Sequence, residues 1–141
     1  MPAEITTEVV HRDGMRFEGR STSGKTIELD FGPPGAPIEG YAPLELLLAS
    51  LAACSGQVVV GLLKRMGQEL GALRIVARGT KRDIHPTVLT SIGLAFEFTG
   101  GRLDPASVER AIALSEERYC PVWAMLKGVV PIKADFHLFA G

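Results

Sequence analysis

The chain has 141 residues, with 15 basic and 16 acidic side chains and a formal net charge of −1. No block of like charge occurs and aromatic residues make up only 6%, which argues against a nucleic-acid footprint, an anionic-membrane patch or a base-stacking platform. The length fits one domain, 1–141, with two long apolar segments that hint at a shared core.

The N-terminus, MPAEITTEVV, has neither the basic start nor the apolar core of a secretory signal. A cytoplasmic, reducing location is the default expectation. Two cysteines in such a compartment, Cys54 and Cys120, are not a disulfide framework. They are either inert core residues or redox-active ones.

Residues 4–10 alternate weakly, and Asp13-Gly14 signals a turn. Met15, Phe17 and Gly19 then alternate with charged residues, Ser21 to Gly24 forms a second turn, and Ile27, Leu29 and Phe31 alternate with Glu28 and Asp30. The pattern predicts a three-stranded antiparallel meander with one wet face. The Pro/Gly segment 32–37 is a loop. Pro43 suits the first turn of a long helix reaching about Met66, with Gly67 and Gly71 closing the segment.

That helix is apolar from Leu44 to Leu63, about the length of a bilayer span. Glu45, Ser50, Ser55, Gln57 and two glycines interrupt it, and no second span or flanking charge pattern accompanies it. A buried helix of a soluble protein is the better reading.

Residues 73–83 read as a strand, His85-Pro86 as a turn, and 88–99 as a strand with Ile92, Leu94, Phe96 and Phe98 on one face. Gly100-Gly101 is expected to break the chain. Asp104 and Pro105 read as an N-cap and first helical residue. Val108, Ala111, Ile112, Ser115 and Tyr119 follow at helical spacing as one buried stripe. A short helix is expected from Pro121 to about Lys127. In the last strand Ile132, Ala134, Phe136 and Leu138 face one way, and Lys133, Asp135 and His137 the other. The order predicts an α+β fold with antiparallel pairing.

Cys120 precedes Pro121 and so falls at the N-cap of the short helix. Backbone N–H groups and the helix dipole there favour an anion, so the position predicts a lowered thiol pKa and a larger thiolate fraction. An ordinary buried cysteine before a helix is the alternative. Cys54 lies in the helix among small residues, Leu51-Ala52-Ala53-Cys54-Ser55-Gly56. Core filler is the plain reading of that cysteine taken alone. The small neighbours also admit close approach by a helix, a ligand or a second sulfur. With no CxxC and no close Cys/His pair, His11, His85 and His137 give no zinc site, and no phosphate loop or nucleophile elbow is present.

Three segments carry a resemblance. APLELLLASLAACSGQVVVGLLKR (42–65) is similar to the first-cysteine helix of the OsmC/Ohr superfamily, and LSEERYCPVWAMLKGVVPI (114–132) to its second-cysteine segment. VVHRDGMRFEGRSTSGKTIELD (9–30) resembles its opening meander. The likeness covers nearly the whole chain in the right order and comes nearest to the YhfA-like branch. It implies an OsmC-like fold, with antiparallel sheets packed around the long apolar helix, in an intertwined homodimer whose sites lie at the interface.

The resemblance also implies thiol-dependent reduction of organic hydroperoxides, in defence against oxidative or osmotic stress. Cys54 would attack the peroxide and become a sulfenic acid, and Cys120 would resolve it as a disulfide. An external dithiol such as a lipoyl group would reopen the bond, with no bound metal or cofactor. The substrate would be a small hydrophobic hydroperoxide. Local position made Cys120 look the more acidic thiol, whereas the family assigns attack to position 54; the roles follow the family here.

The chain departs from the peroxidase pattern at one place. The Ohr branch has a glutamate directly after the helix-starting proline; here Leu44 stands there and Glu45 follows. Nine helical steps of about 100° put Glu45 opposite Cys54, and its plain reading is a first-turn acid complementing the dipole. Arg12 is the nearest match to the family's peroxide-binding arginine, with Arg16 the fallback and an ordinary turn arginine the alternative. The displaced glutamate leaves a second reading: a non-catalytic protein of the same fold that holds a hydrophobic small molecule, or a redox sensor.

Overall fold

A computed structural model describes residues 2–141. They form two compact units, the first ending at Leu47 and the second running from Leu48 to Gly141.

In the first unit, strands β1 (Glu8–Asp13), β2 (Arg16–Arg20) and β3 (Thr26–Leu29) form an antiparallel sheet in that order. This is the expected meander. Gly14 makes the first turn at φ +50°, a left-handed conformation that suits glycine. The Pro/Gly loop is tied down by Asp30, whose carboxylate accepts from Phe31 N at 2.7 Å and Glu39 N at 2.8 Å. Those two donors hold the Asp30 carboxyl below its ordinary pKa.

Helix α1 (Pro43–Arg65) begins at the proline and ends within a residue of the expected place. Its N-terminus is closed by Glu45, whose Oε1 accepts from Ala42 N at 2.9 Å, the third-position half of a capping box. Gly67, at φ +73°, stops the helix, with Gln68 N donating to Leu63 O at 2.9 Å.

The second unit places the rest of α1 on a sheet of strands β4 (Glu69–Lys81), β5 (Leu89–Arg102) and β6 (Ile132–Phe139), with β5 in the middle. Ile92, Leu94, Phe96 and Phe98 all point inward and are buried, as their alternation predicts. They meet Leu51, Val59 and Leu63 of α1 and Val108 and Ala111 of helix α2 (Pro105–Leu114) in one core. Each valine, leucine, isoleucine or phenylalanine among them contributes roughly 1.5–3 kcal/mol by leaving water. By length and composition α1 could also cross a membrane, and 28% of its most apolar window is buried within this chain.

Three expectations change. The β4–β5 pair is antiparallel, but β6 runs parallel to β5. The segment from Arg102 to Ile132 carries helices, and such a crossover returns the chain to the same sheet end instead of reversing it as a hairpin would. Gly100-Gly101 does not break β5; both residues take φ +74° inside the strand. Opposite them a Cβ on Gly71 would meet Thr99 O at 2.3 Å, so only glycines allow the two backbones to approach. The third change concerns the stripe ending in Tyr119. Val108, Ala111, Ile112 and Ser115 are buried, but α2 passes into a π turn (Ser115–Tyr119) that swings Tyr119 outward.

Candidate active site

Both cysteines belong to the second unit. Cys54 is half-buried on α1, and Cys120 is buried in the core, 1% exposed. The fold brings their side chains together: the two thiols are neighbours close enough to act on each other although 66 positions separate them in the chain. Both are free thiols.

Cys120 sits at the N-cap of helix α3 (Pro121–Leu126), as its place before Pro121 predicts. Its Sγ accepts from Trp123 N at 3.4 Å. The expected lowering of its pKa is overturned. Burial pushes the thiol above its ordinary value, overriding the pull of the Trp123 and Val122 backbone N–H groups, and the neighbouring Cys54 thiol pushes the same way. A helix of six residues gives few donors against loss of water around the sulfur. At neutral pH Cys120 is therefore a protonated thiol.

That shift has a consequence for folding. A folded-state pKa raised above the unfolded value of about 8.5 keeps Cys120 protonated where the unfolded chain has begun to ionise. Its contribution to stability is complete below about pH 8.5 and is lost as pH rises through the folded-state pKa. Urea midpoints of reduced protein, measured from pH 7 to 10, should fall on the alkaline side, and Cys120→Ser should flatten that fall.

Two serines flank the thiols. Ser55 follows Cys54 on α1, and Ser115 opens the π turn; their hydroxyls share a buried hydrogen bond of 2.8 Å. Sequence reading placed Ser115 on the buried stripe and took Ser55 only as an interruption of the apolar run, so their pairing was missed. A serine at each of two core-facing helical positions was the available signal, since a buried hydroxyl needs a partner.

A groove of about 290 Å³ runs along α1, lined by Gln57, Val58, Gly61, Leu62, Arg65 and Tyr119. Steps of three, four, seven and eleven residues from Cys54 return to its own side of the helix, so Gln57, Val58, Gly61 and Arg65 continue the face that carries the thiol. Tyr119, turned out by the π turn, is the residue before Cys120.

The other expected participants are engaged elsewhere. Arg12 pairs with Glu18 at 2.6 Å, and Glu18 also takes Arg20 at 2.7 Å. Those bonds, Arg12 first, hold the Glu18 carboxyl below its ordinary pKa. Arg16 approaches Asp13 at 3.5 Å and Glu28 at 3.9 Å. Both arginines are thus paired within the first unit. Glu45 caps its own helix, in line with the plain reading of a first-turn acid. Among the described residues no three His, Cys, Asp or Glu side chains gather as metal ligands.

In this α+β fold with two three-stranded sheets, the long helix α1 and the N-cap of α3 bring the two thiols together. The family model described as OsmC-like protein matches residues 35–135, and the chain belongs to that family. It is 35% identical over 128 residues to Protein YhfA of Escherichia coli K12, covering 91% of this chain and 93% of that one. A hypothetical protein from Aquifex aeolicus VF5 superposes with a TM-score of 0.88 at 27% identity, over 99% of both chains. The organic hydroperoxide resistance protein OhrB of Bacillus subtilis shares the fold, with a TM-score of 0.66 and 22% identity over 94% of this chain and 98% of its own.

Proposed function

We propose that this protein is a cytoplasmic, two-cysteine thiol peroxidase that reduces organic hydroperoxides. The observation that carries the reading is the contact between the Cys54 and Cys120 thiols. Cys54, the more exposed of the two, attacks the outer peroxide oxygen as thiolate. The O–O bond breaks, an alcohol leaves after taking a proton, and Cys54 becomes a sulfenic acid. The Cys120 sulfur then displaces hydroxide from the Cys54 sulfur; the thiol proton completes a water molecule and a disulfide remains. A dithiol reductant, such as a lipoyl group, reopens it by exchange, giving two electrons and two protons to the protein and leaving as its own disulfide.

The assignment of attack to Cys54 follows the family resemblance, and its greater exposure supports it. Burial keeps Cys120 protonated, which suits a thiol that waits to resolve an adjacent sulfenic acid. The α1 groove, with Val58, Leu62 and the Tyr119 ring on its walls, favours an alkyl hydroperoxide over hydrogen peroxide. We further infer that the chain works as a homodimer that covers the open side of α1, where Ala53, Val60 and Gly61 are exposed; a sedimenting mass of one 15.1 kDa chain would contradict this.

Turnover tests the reading. Reduced protein with cumene hydroperoxide and dihydrolipoamide should consume peroxide catalytically, at a kcat/KM at least tenfold above that for hydrogen peroxide. Stoichiometric thiol loss without turnover, whichever dithiol is supplied, would favour the redox-sensor reading. No reaction at all would leave a ligand-holding protein.

A further inference from the structure

We infer that Ser55 and Ser115 are positioning residues for the thiol pair, and that their shared hydrogen bond holds Cys120 against Cys54. The inference rests on the reading of the two cysteines as a redox couple.

The two serines tie together the two segments that carry the sulfurs. Ser55 is covalently next to Cys54. Ser115 is linked to Cys120 through the backbone, its carbonyl accepting from Cys120 N at 3.0 Å across five residues. That bond defines the π turn, a rare conformation that has the wider loop of an i→i+5 bond and is found often at functional sites. An ordinary α-helical continuation would shift the phase of the residues after Ser115; the π turn sends Tyr119 outward and leaves Cys120 buried. The 2.8 Å bond between the hydroxyls, both fully buried, fastens the start of that turn to α1.

The energetics favour a closed pair. Opening the bond strands two hydroxyls in the core, each at a cost that water cannot offset. Disulfide formation needs Cα atoms within about 7 Å and a narrow range of torsion. A restraint one residue from one sulfur, and one backbone hydrogen bond from the other, sets the effective concentration of each thiol for its partner.

The test is redox equilibration with glutathione. Two protein thiols and one oxidised glutathione give the protein disulfide and two reduced glutathiones, so the midpoint ratio reports that effective concentration without any peroxide. Ser55→Ala leaves one hydroxyl unpaired and is expected to lower it at least tenfold. The double variant Ser55→Ala/Ser115→Ala removes both polar groups, so its core keeps no unpaired hydroxyl. It should unfold at a urea midpoint close to the wild type and still show the tenfold loss. A double variant whose equilibrium lies within twofold of the wild type would overturn the positioning role and leave the redox couple standing. A wild type that forms no disulfide over the whole range of glutathione ratios would overturn both.

Discussion

Replacing Cys54 by serine should lower hydroperoxide turnover at least a thousandfold, to the level of the buffer, while leaving the fold intact. A serine hydroxyl at neutral pH has almost no alkoxide, and an oxygen nucleophile cannot take up the peroxide oxygen as a stable sulfenic acid does. The exchange is close to isosteric at a half-buried site, so the urea midpoint should stay within about 1 kcal/mol of the wild type. Cys120→Ser should fail differently. Its Cys54 still meets the first peroxide, so one equivalent is consumed in a burst and then turnover stalls. The trapped product is a Cys54 sulfenic acid, which a dimedone adduct of that mass would register. Equal activity in wild type, Cys54→Ser and Cys120→Ser would remove the enzyme reading.

The largest effect on stability is expected at Phe96. Its side chain is completely buried in the central strand, across from Ile75 of β4 and Phe136 of β6. Its ring lies 6.4 Å from that of Phe98, with only 12° between the planes. Phe96→Ala removes the ring from the middle of the three-stranded sheet, where neither neighbouring strand can collapse into the space without breaking its ladder. Substitutions of this type cost about 3–5 kcal/mol, a large share of the roughly 5–15 kcal/mol that holds a domain together. Urea denaturation should show the loss. Ile84→Ala, at a side chain 74% exposed, should change stability by less than about 0.5 kcal/mol.

The elements that could be read in the sequence are those whose cause is local. Pro43 and Gly67 bound α1 because a proline fits a first turn and a glycine permits the left-handed stop. The alternation of Ile92, Leu94, Phe96 and Phe98 gave the core face of β5 because the strand period is two. Pro121 marked Cys120 as an N-cap for the same local reason. What the sequence could not show depends on the partner of each element. The parallel course of β6 is decided by where the crossover helices lead the chain. Strand continuity through Gly100 and Gly101 is decided by the close approach of Gly71 across the ladder.

The site was legible to the same limit. Each thiol's position on its own element was visible, and the resemblance supplied the pairing. The pKa of Cys120 was misjudged because an N-cap argument counts donors and cannot count the water excluded by the folded core. Tyr119 was assigned to the buried stripe because a period of 3.6 residues does not foresee a π turn. Ser55 looked like a blemish in an apolar helix until its partner, 60 residues away, stood opposite it.

In the proposed mechanism, oxidation received at Cys54 passes to Cys120 within one chain. Peptide mapping after one equivalent of cumene hydroperoxide, with free thiols alkylated beforehand by nothing and afterwards by iodoacetamide, reads this directly. A single new species is expected, in which the peptides holding residues 54 and 120 are joined and both alkylation sites vanish together. Cys54 carried on to sulfinic acid while Cys120 is still fully alkylated would contradict it.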